Sequence, residues 1–453
     1  MALLVGLDVG TSSAKAVVFT DQGEVVGEGR ARTPWITTSY GVEVAAEELL
    51  NAATEALGSA LDATPGATSA TAVGITSIGE SGVLVDRDGT PVAPVIAWHD
   101  SRDHEEVEAL RRDIARDTFA ATTGKPLRGQ WAITKHRWLL RHVPSVAAAV
   151  RRFNIAEWVV RGLGGGEVTE LALACRTGWL DLSRRDWWPE GLAWSGATPD
   201  LMPPLVEAGM PVGQVTRADI HPRLRGAVLT VVGHDHQAAA VGVGATAEGD
   251  EVDSCGTAEA IVRTIPAYLK GEQVRDLAHA GITTDWSIQP GRWSLLAGTE
   301  GGLAMQRVLN AIGVDQGGFT ALDAVALDAP QGRVRVEGIG TEAVHLRNLF
   351  DGVTPGEVWR AVVEAATEEV TKLHNSMTKI VGEHQDIIVT GGWSRSAALM
   401  AAKRRRLGTV RLSAVREAGA RGAAIYAGRA AGVLTSNGVF PDPNVRLSEP
   451  ATP

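Results

Sequence analysis

Cysteine is scarce in this chain: 453 residues carry two, Cys175 and Cys255. Two thiols that far apart argue against a disulfide framework and for a reducing compartment. Cys and His do not cluster at zinc-ligand spacing, so no structural zinc site is expected. No run of about 18 apolar residues occurs, which argues against a membrane-spanning helix. The opening "MALLVGLDVG" lacks basic residues and is interrupted by Asp8, so neither a signal peptide nor an anchor is expected, and the reading is cytoplasmic. Two nucleotide motifs are missing as well. There is no G-x-x-x-x-G-K-[ST] loop and no G-x-G-x-x-G turn, so any ATP site must have another architecture. Positive charge is in deficit, with 43 Lys and Arg against 53 Asp and Glu and a net charge of −10, which argues against nucleic-acid binding. The one basic run, "KRRR" at 403–406, reads as a solvated helix face.

What is present begins with a chain long enough for two domains. Its 44% hydrophobic and 21% charged residues are those of a globular protein. "GLDVGTSSAKAVVF" (6–19) reads as strand, tight turn, strand, with an acid, Asp8, inside an apolar run. "VDSCGTAEA" (252–260) repeats the pattern about 245 residues later, and aligning the Gly-Thr pairs places Ser254 opposite Asp8. The spacing is too long for a short-period repeat. It predicts two related halves that each offer one turn to a shared cleft. Between these turns the pattern predicts a helix over 41–61, a strand over 71–79, a hairpin over 81–98 closed at "DRDGT", a charged helix over 102–120 and two helices broken near Pro144. Beyond them come a long helix from Pro355, a strand and helix across "DIIVTGGWSRSAALMAAKRRRLG", and a small-residue helix in "EAGARGAAIYAGRAAGVL". The Pro- and Asn-rich residues 439–453 read as a loosely held tail.

Four places can carry chemistry. In the paired turns, Gly10 and Gly256 let the backbone approach a ligand, successive N–H groups form an anion nest, and the hydroxyls of Thr11 and Thr257 add donors. Facing each other, they could grip a polyphosphate, with Asp8 holding Mg²⁺ through water; single Gly-Thr hairpins are also common without a ligand. In "VVGHDHQAAAVGVG" (231–244) a buried strand delivers Asp235 to its polar end, where it could take a proton from a hydroxyl. Asp235 could equally serve as a helix N-cap. His234 and His236 are expected on opposite faces of the strand, which argues against a shared ion. "GESG" (79–82) with "WHDSRD" (98–103) combines Glu80, Trp98, Asp100 and Arg102, a mix of acids, an aromatic plate and a guanidinium fork that suits a polyol or sugar. The alternative there is a surface loop with an internal salt bridge. In "TGGWSRSAAL" (390–399) Gly391 and Gly392 allow a flat ligand to lie on the backbone before a helix N-terminus.

Taken in order, "GLDVGTSSAKAVVF", "PVIAWHDSR", "TKHRWLL", "VVGHDHQAAAVGVG", "DSCGTAE", "VTGGWSRS" and "EAGARGAA" resemble the FGGY carbohydrate kinases over essentially the whole chain. The resemblance implies an α/β protein of two ribonuclease-H-like, actin-like ATPase domains around a central cleft: an N-terminal domain over 1–240 with the substrate and catalytic base, a C-terminal domain over 241–438 that binds nucleotide, and the tail 439–453. It implies an ATP-dependent kinase for a hydroxyl of a sugar, ketose or polyol. Asp8 would position Mg²⁺, and Gly10, Thr11, Ser12, Ser13 and Lys15 would line the phosphates, with Gly256 and Thr257 as the second turn. Gly302 and Gln306 in "GGLAMQ" would lie near the nucleotide, and Gly391, Gly392 and Ser396 near its adenosine. Asp235 would be the base, and Glu80, Trp98, Asp100, Arg102, Gln130 and His236 would shape the acceptor pocket. A homodimer is a further family-level expectation. The chain departs from the pattern at Gly79-Glu80, where xylulose kinases have Met-His and glycerol kinases Arg-Glu, at Trp393 in place of a third glycine, and in a shortened 330–350 region. The competing readings are an actin-like nucleotide-binding regulator or chaperone without a sugar substrate, and a degenerate ligand-binding relative. "WHDSR", Asp235 and the retention of Asp8, Thr11 and Thr257 count against them.

Overall fold

The computed structural model describes residues 2–341, 343–441 and 444–446. The amino half is built on one sheet. β1 (Leu3–Val9), β2 (Ser13–Thr20) and β3 (Val25–Arg32) form an antiparallel meander. β4 (Ala70–Ser77) and β5 (Val228–His234) extend it in parallel beyond β1, giving the order β3-β2-β1-β4-β5. The carboxyl half has β6 (Asp250–Cys255), β7 (Glu259–Pro266), β8 (Thr283–Trp286), β9 (Arg292–Thr299), β10 (Asp386–Thr390), β11 (Arg411–Ser413) and β12 (Asn444–Arg446), in the order β8-β9-β7-β6-β10-β11-β12. Its inner five strands, β9-β7-β6-β10-β11, repeat the amino sheet strand for strand and direction for direction. The two Gly-Thr turns therefore occupy equivalent places, each leaving the central strand of its sheet.

Strand alternation explains the acid in the first run. Leu3, Val5, Leu7 and Val9 point one way into a core shared with α1 (Ala46–Asp62) and α2 (Ile155–Gly162). Leu4, Gly6 and Asp8 point the other way. There Leu4 packs with Ala420, Ala423 and Ala424 of α8 (Ala418–Ala430), and a side chain at Gly6 would overlap the α8 backbone at Ala420. Asp8 lies where that helix begins, its Oδ2 at 2.5 Å from where a Cβ on Gly419 would be.

The helices α3 (Asp235–Gly242) and α8 exchange partners between the halves. α3 follows β5 yet packs Ala240 and Val243 against Val252, Val262 and Ile388 of the carboxyl sheet. α8 follows β11 yet covers the amino sheet. Where they cross, neither Gly242 nor Gly422 has room for a Cβ, because the backbones at Ala418 and Ala238 take that space. The other large helices, α4 (Gly301–Ala311), α5 (Gln316–Asp328), α6 (Pro355–Val381) and α7 (Ala397–Leu407), build the carboxyl half. α6 begins at the expected proline, with a Thr354–Glu357 capping box closing its first turn.

Several expectations change. Residues 102–120 form two helices, His104–Asp113 and Arg116–Thr123, rather than one. The stretch after Pro144 is a 3₁₀ turn and a strand, Arg151–Asn154, before α2. The hairpin over 81–98 closes at Asp86–Thr90 but then parts, because Val95–Ile96 pairs with Val42–Val44 and Gly82–Val85 with Arg151–Asn154. Lys403 is not on a solvated face. It follows Leu399 and Met400 by one helical turn and is fully buried with them. The described residues from 439 are held rather than loose: Phe440 is buried against Phe19 at 5.4 Å, Arg421 Nη2 donates to the Pro441 carbonyl at 2.7 Å, and β12 pairs with β11. Residues 442–443 and 447–453 of that tail lie outside the described residues.

Candidate active site

Each Gly-Thr turn is short and open. Gly10 N–H donates to Ser13 O at 3.1 Å, and Gly256 N–H donates to Ser254 O at 2.9 Å. Ser12 and Thr257 are exposed, and Thr11 is half-buried. Ser13 differs: its hydroxyl is buried and accepts from Arg30 Nε at 3.1 Å, so it braces the turn from behind. Lys15, the cross-strand neighbour of Asp8, pairs at 2.8 Å with Glu417 just ahead of α8.

Asp8 and Asp235 end the strands on either side of β4, and their carboxylates interact. Burial first, and then the negative charge of Asp235, raises the Asp8 pKa to about 7. Asp235 is raised to about 7 as well, by burial and by Glu80. Asp8 Oδ1 is buried without a hydrogen-bond partner. An orphaned carboxylate oxygen beside a second acid and an open anion nest is a donor set that fits a hard divalent cation. Asp235 is the first residue of α3 and not its cap; His234 holds the cap position. One Asp235 oxygen accepts from His236 N–H at 2.7 Å, and the side chain stays 20% exposed. Because β5 stops at His234 and the helix starts at once, the rings of His234 and His236 lie 5.4 Å apart, and the opposite-face argument does not apply. Burial, reinforced by Arg176, pushes His236 down to about 4, so it is neutral.

The residues expected around the acceptor form a connected set. Gln130 Nε2 donates to Glu80 Oε1 at 3.0 Å, and Arg176 Nε donates to the same oxygen at 2.9 Å. Glu80 holds a left-handed backbone, φ 65°, a strained conformation for a non-glycine residue that aims its carboxylate. Trp98 Nε1 donates to Thr11 Oγ1 at 3.0 Å and so ties the "WHDSRD" loop to the first Gly-Thr turn. Asp100 and Arg102 are buried on each other at 3.0 Å, with Arg102 also on Glu43 at 2.7 Å and over the Trp138 ring. They fix the loop that carries Trp98 and form an internal ion pair, not a surface one. Sequence reading missed Arg176, Lys125 and Asp285. Arg176 joins Glu80 of the amino half to Thr283 and Asp285 of β8, at 3.0 and 3.2 Å, and Lys125 meets Asp285 at 2.7 Å.

Three elements converge on the second turn. A Cβ on Gly302 of α4 would overlap the Gly256 carbonyl, and one on Gly391 (φ 93°) would sit 2.5 Å from the Cys255 carbonyl oxygen. Beneath the turn, the Lys403 ammonium sits between Asp253 and Glu259, with Cys255 Sγ 3.4 Å from Glu259. These two acids and the thiol could by themselves suit a metal, but the ammonium already neutralises them. Gly392 is exposed beyond Gly391. Ser396 is buried as the cap of α7, donating to Asp323 at 2.6 Å, so it shapes the loop from inside. Gln306 is exposed on α4 and donates to Asn310 at 3.0 Å.

This arrangement has close relatives. The N-terminal domain of the FGGY family of carbohydrate kinases matches residues 3–242. The chain is 28% identical to a glycerol kinase of Janthinobacterium sp. over 88% of its own length and 83% of the relative's. It is 28% identical to the xylulose kinase of Streptomyces rubiginosus over 96% and 88%. In structure it is similar to the xylulose kinase of Rhodospirillum rubrum (TM-score 0.87, 24% identity, 96% and 91% covered). It is also similar to Plasmodium falciparum glycerol kinase with ADP (TM-score 0.86, 17% identity, 96% and 91% covered). The two sheets are thus the paired actin-like ATPase domains of that fold. The chain belongs to the FGGY family of carbohydrate kinases, enzymes that move a phosphoryl group from ATP to a sugar or polyol.

Proposed function

We propose that this kinase transfers the γ-phosphoryl group of ATP to a hydroxyl of a small polyhydroxy acceptor held between Glu80, Trp98, Gln130 and His236, with Asp235 as general base. The observation that carries the reading is the pair Asp8 and Asp235. Two half-buried acids flank β4, one near the end of β1 with an orphaned oxygen beside the first Gly-Thr turn, the other just past β5 and partly open to the cleft.

Phosphoryl transfer asks the protein mainly for positioning and charge. The N–H groups and hydroxyls of Gly10–Ser12 would hold the phosphates from the amino side, and those of Gly256–Thr257 from the carboxyl side. Lys15 would add positive charge next to Asp8. Mg²⁺, when bound, would supply charge neutralisation at the phosphates, with Asp8 as its carboxylate through water. Asp235 would take the proton of the attacking hydroxyl, and Arg176 with Gln130 would hold Glu80 aimed at the other hydroxyls. Gly391 and Gly392 would leave backbone open for the adenosine, with Gln306 on the neighbouring helix and Ser396 stiffening the loop. The Arg176 and Lys125 contacts with Asp285 hold the halves together behind the pocket, and closure of the cleft would exclude water from the transfer.

A coupled ADP-release screen over tetroses, pentoses, hexoses, their ketoses and polyols tests the reading. Acceptor-dependent ADP release that disappears in Asp235→Asn supports it. ATP hydrolysis indifferent to every acceptor would return the regulator reading to first place.

A further inference from the structure

The acceptor pocket holds one accessible cation without a counter-charge. Arg176, Lys125, Arg102, Lys135 and Lys15 each have a carboxylate within 4 Å. Arg152 has none but is sealed inside over the Trp179 ring, with its N–H groups on Asn154 and the Glu80 carbonyl. Arg128 is different: it is exposed, and among the described residues it meets no carboxylate. Its Nε donates to Gln130 Oε1 at 3.0 Å, Gln130 donates onward to Glu80, and Arg176 approaches Glu80 from the other side. The row runs Arg128, Gln130, Glu80, Arg176. The Nε bond to Gln130 and the Trp131 ring, 5.6 Å away, fix the guanidinium plane and leave both Nη groups without a protein acceptor.

A guanidinium fixed by its own glutamine is a preorganised fork for a planar anion. With a neutral polyol in the pocket, cleft closure would strip water from Arg128 and return only neutral hydroxyl acceptors, with no counter-charge. The surrounding charge also sets the size of the missing anion. Arg176 and Lys125 already match Glu80 and Asp285, and Asp235 adds a further acid, so the one unmatched guanidinium balances a single charge and not the double charge of a phosphate ester.

We infer that the acceptor is a polyhydroxy carboxylic acid, whose carboxylate docks on the Arg128 fork and whose hydroxyls run along Gln130 and Glu80 toward Asp235. This rests on the acceptor pocket proposed above and narrows it to a substrate class.

The test is a coupled ADP-release assay on matched sets of four to six carbons: each aldonic acid beside its alditol, its aldose and the aldose phosphate ester, at low and moderate salt. At least one acid should exceed its neutral partners by about ten-fold or more in kcat/KM, with the margin shrinking as salt rises. Arg128→Gln should cut kcat/KM for that acid about ten- to hundred-fold, chiefly through KM, and erase the preference. Arg128→Lys, which keeps the charge and loses the fork, should fall between. Because Arg128 is exposed, unpaired with any acid and outside the core, both variants should melt with the parent. Neutral acceptors or phosphate esters that match or beat the acids would overturn the inference while leaving the kinase reading in place. So would an acid preference that survives in Arg128→Gln. Failure of every acceptor would remove the kinase reading and the inference together.

Discussion

At the scale of single residues, Asp8 and Asp235 set the pH behaviour. As the proposed base Asp235 must be ionised to act, and burial with neighbouring acids raises it to about 7. In the free enzyme kcat/KM for the acceptor should therefore climb about ten-fold per pH unit below 7 and level off above it. Asp235→Asn should lower kcat by about 10²–10⁴-fold and abolish that limb, as a pH–rate profile would show. The same shifts bear on stability with a definite sign. An unfolded Asp loses its proton near 4, whereas folded Asp8 and Asp235 keep theirs to about 7. Between those values the native state binds more protons, so their contribution is complete at acid pH and is lost as pH rises through 7. Asp8→Asn should thus raise the melting temperature of metal-free protein at pH 8 and change it little at pH 4. Equal effects at both pH values would show that the carboxylate is not strained in the fold.

At the scale of elements, the second Gly-Thr turn is held by contacts that side chains would spoil. Gly391→Ala would force a Cβ into a left-handed backbone and onto Cys255, at a cost of about 1–3 kcal/mol and a raised KM for ATP. Lys403→Met should cost more, about 3–5 kcal/mol, because it leaves Asp253 and Glu259 buried together without their cation. Urea unfolding curves with ATP titrations separate the two effects. The contrast shows what a sequence can carry. The Gly-Thr echo, Asp8 and Asp235 are local signals, each a polar residue breaking a strand pattern at a turn, and the structure puts the two turns after equivalent strands. Lys403 was hidden by its company: "KRRR" reads as surface by composition, and only the phase with Leu399 and Met400 places it inside. Arg176, Lys125 and Asp285 have no local mark, because their pairing spans more than a hundred residues and depends on how the halves meet. The hairpin over 81–98 failed for a similar reason. Its two arms each found a better partner elsewhere in the chain, strands at 151–154 and 42–44.

At the scale of the whole molecule, the nucleotide is expected to act as a clamp, since both halves would hold its phosphates. Mg-ADP at 100 times its dissociation constant should stabilise the protein by about 2.7 kcal/mol, and calorimetry should show one cooperative transition moving upward. A lower transition that stays put would mean that one half melts without regard to the ligand. The exchange of α3 and α8 has a consequence for how the chain is made. Synthesis runs from the amino end, so the first sheet is complete once β5 leaves the ribosome. One of its faces, the row of Leu4, Gly6, Ala72 and Gly74, must still wait for α8, nearly 190 residues later. During that interval the nascent chain presents a flat apolar surface with no cover of its own. A fragment ending at Gly242 keeps that surface permanently bare and should aggregate on expression, whereas adding residues 418–441 as a separate peptide should return it to solution.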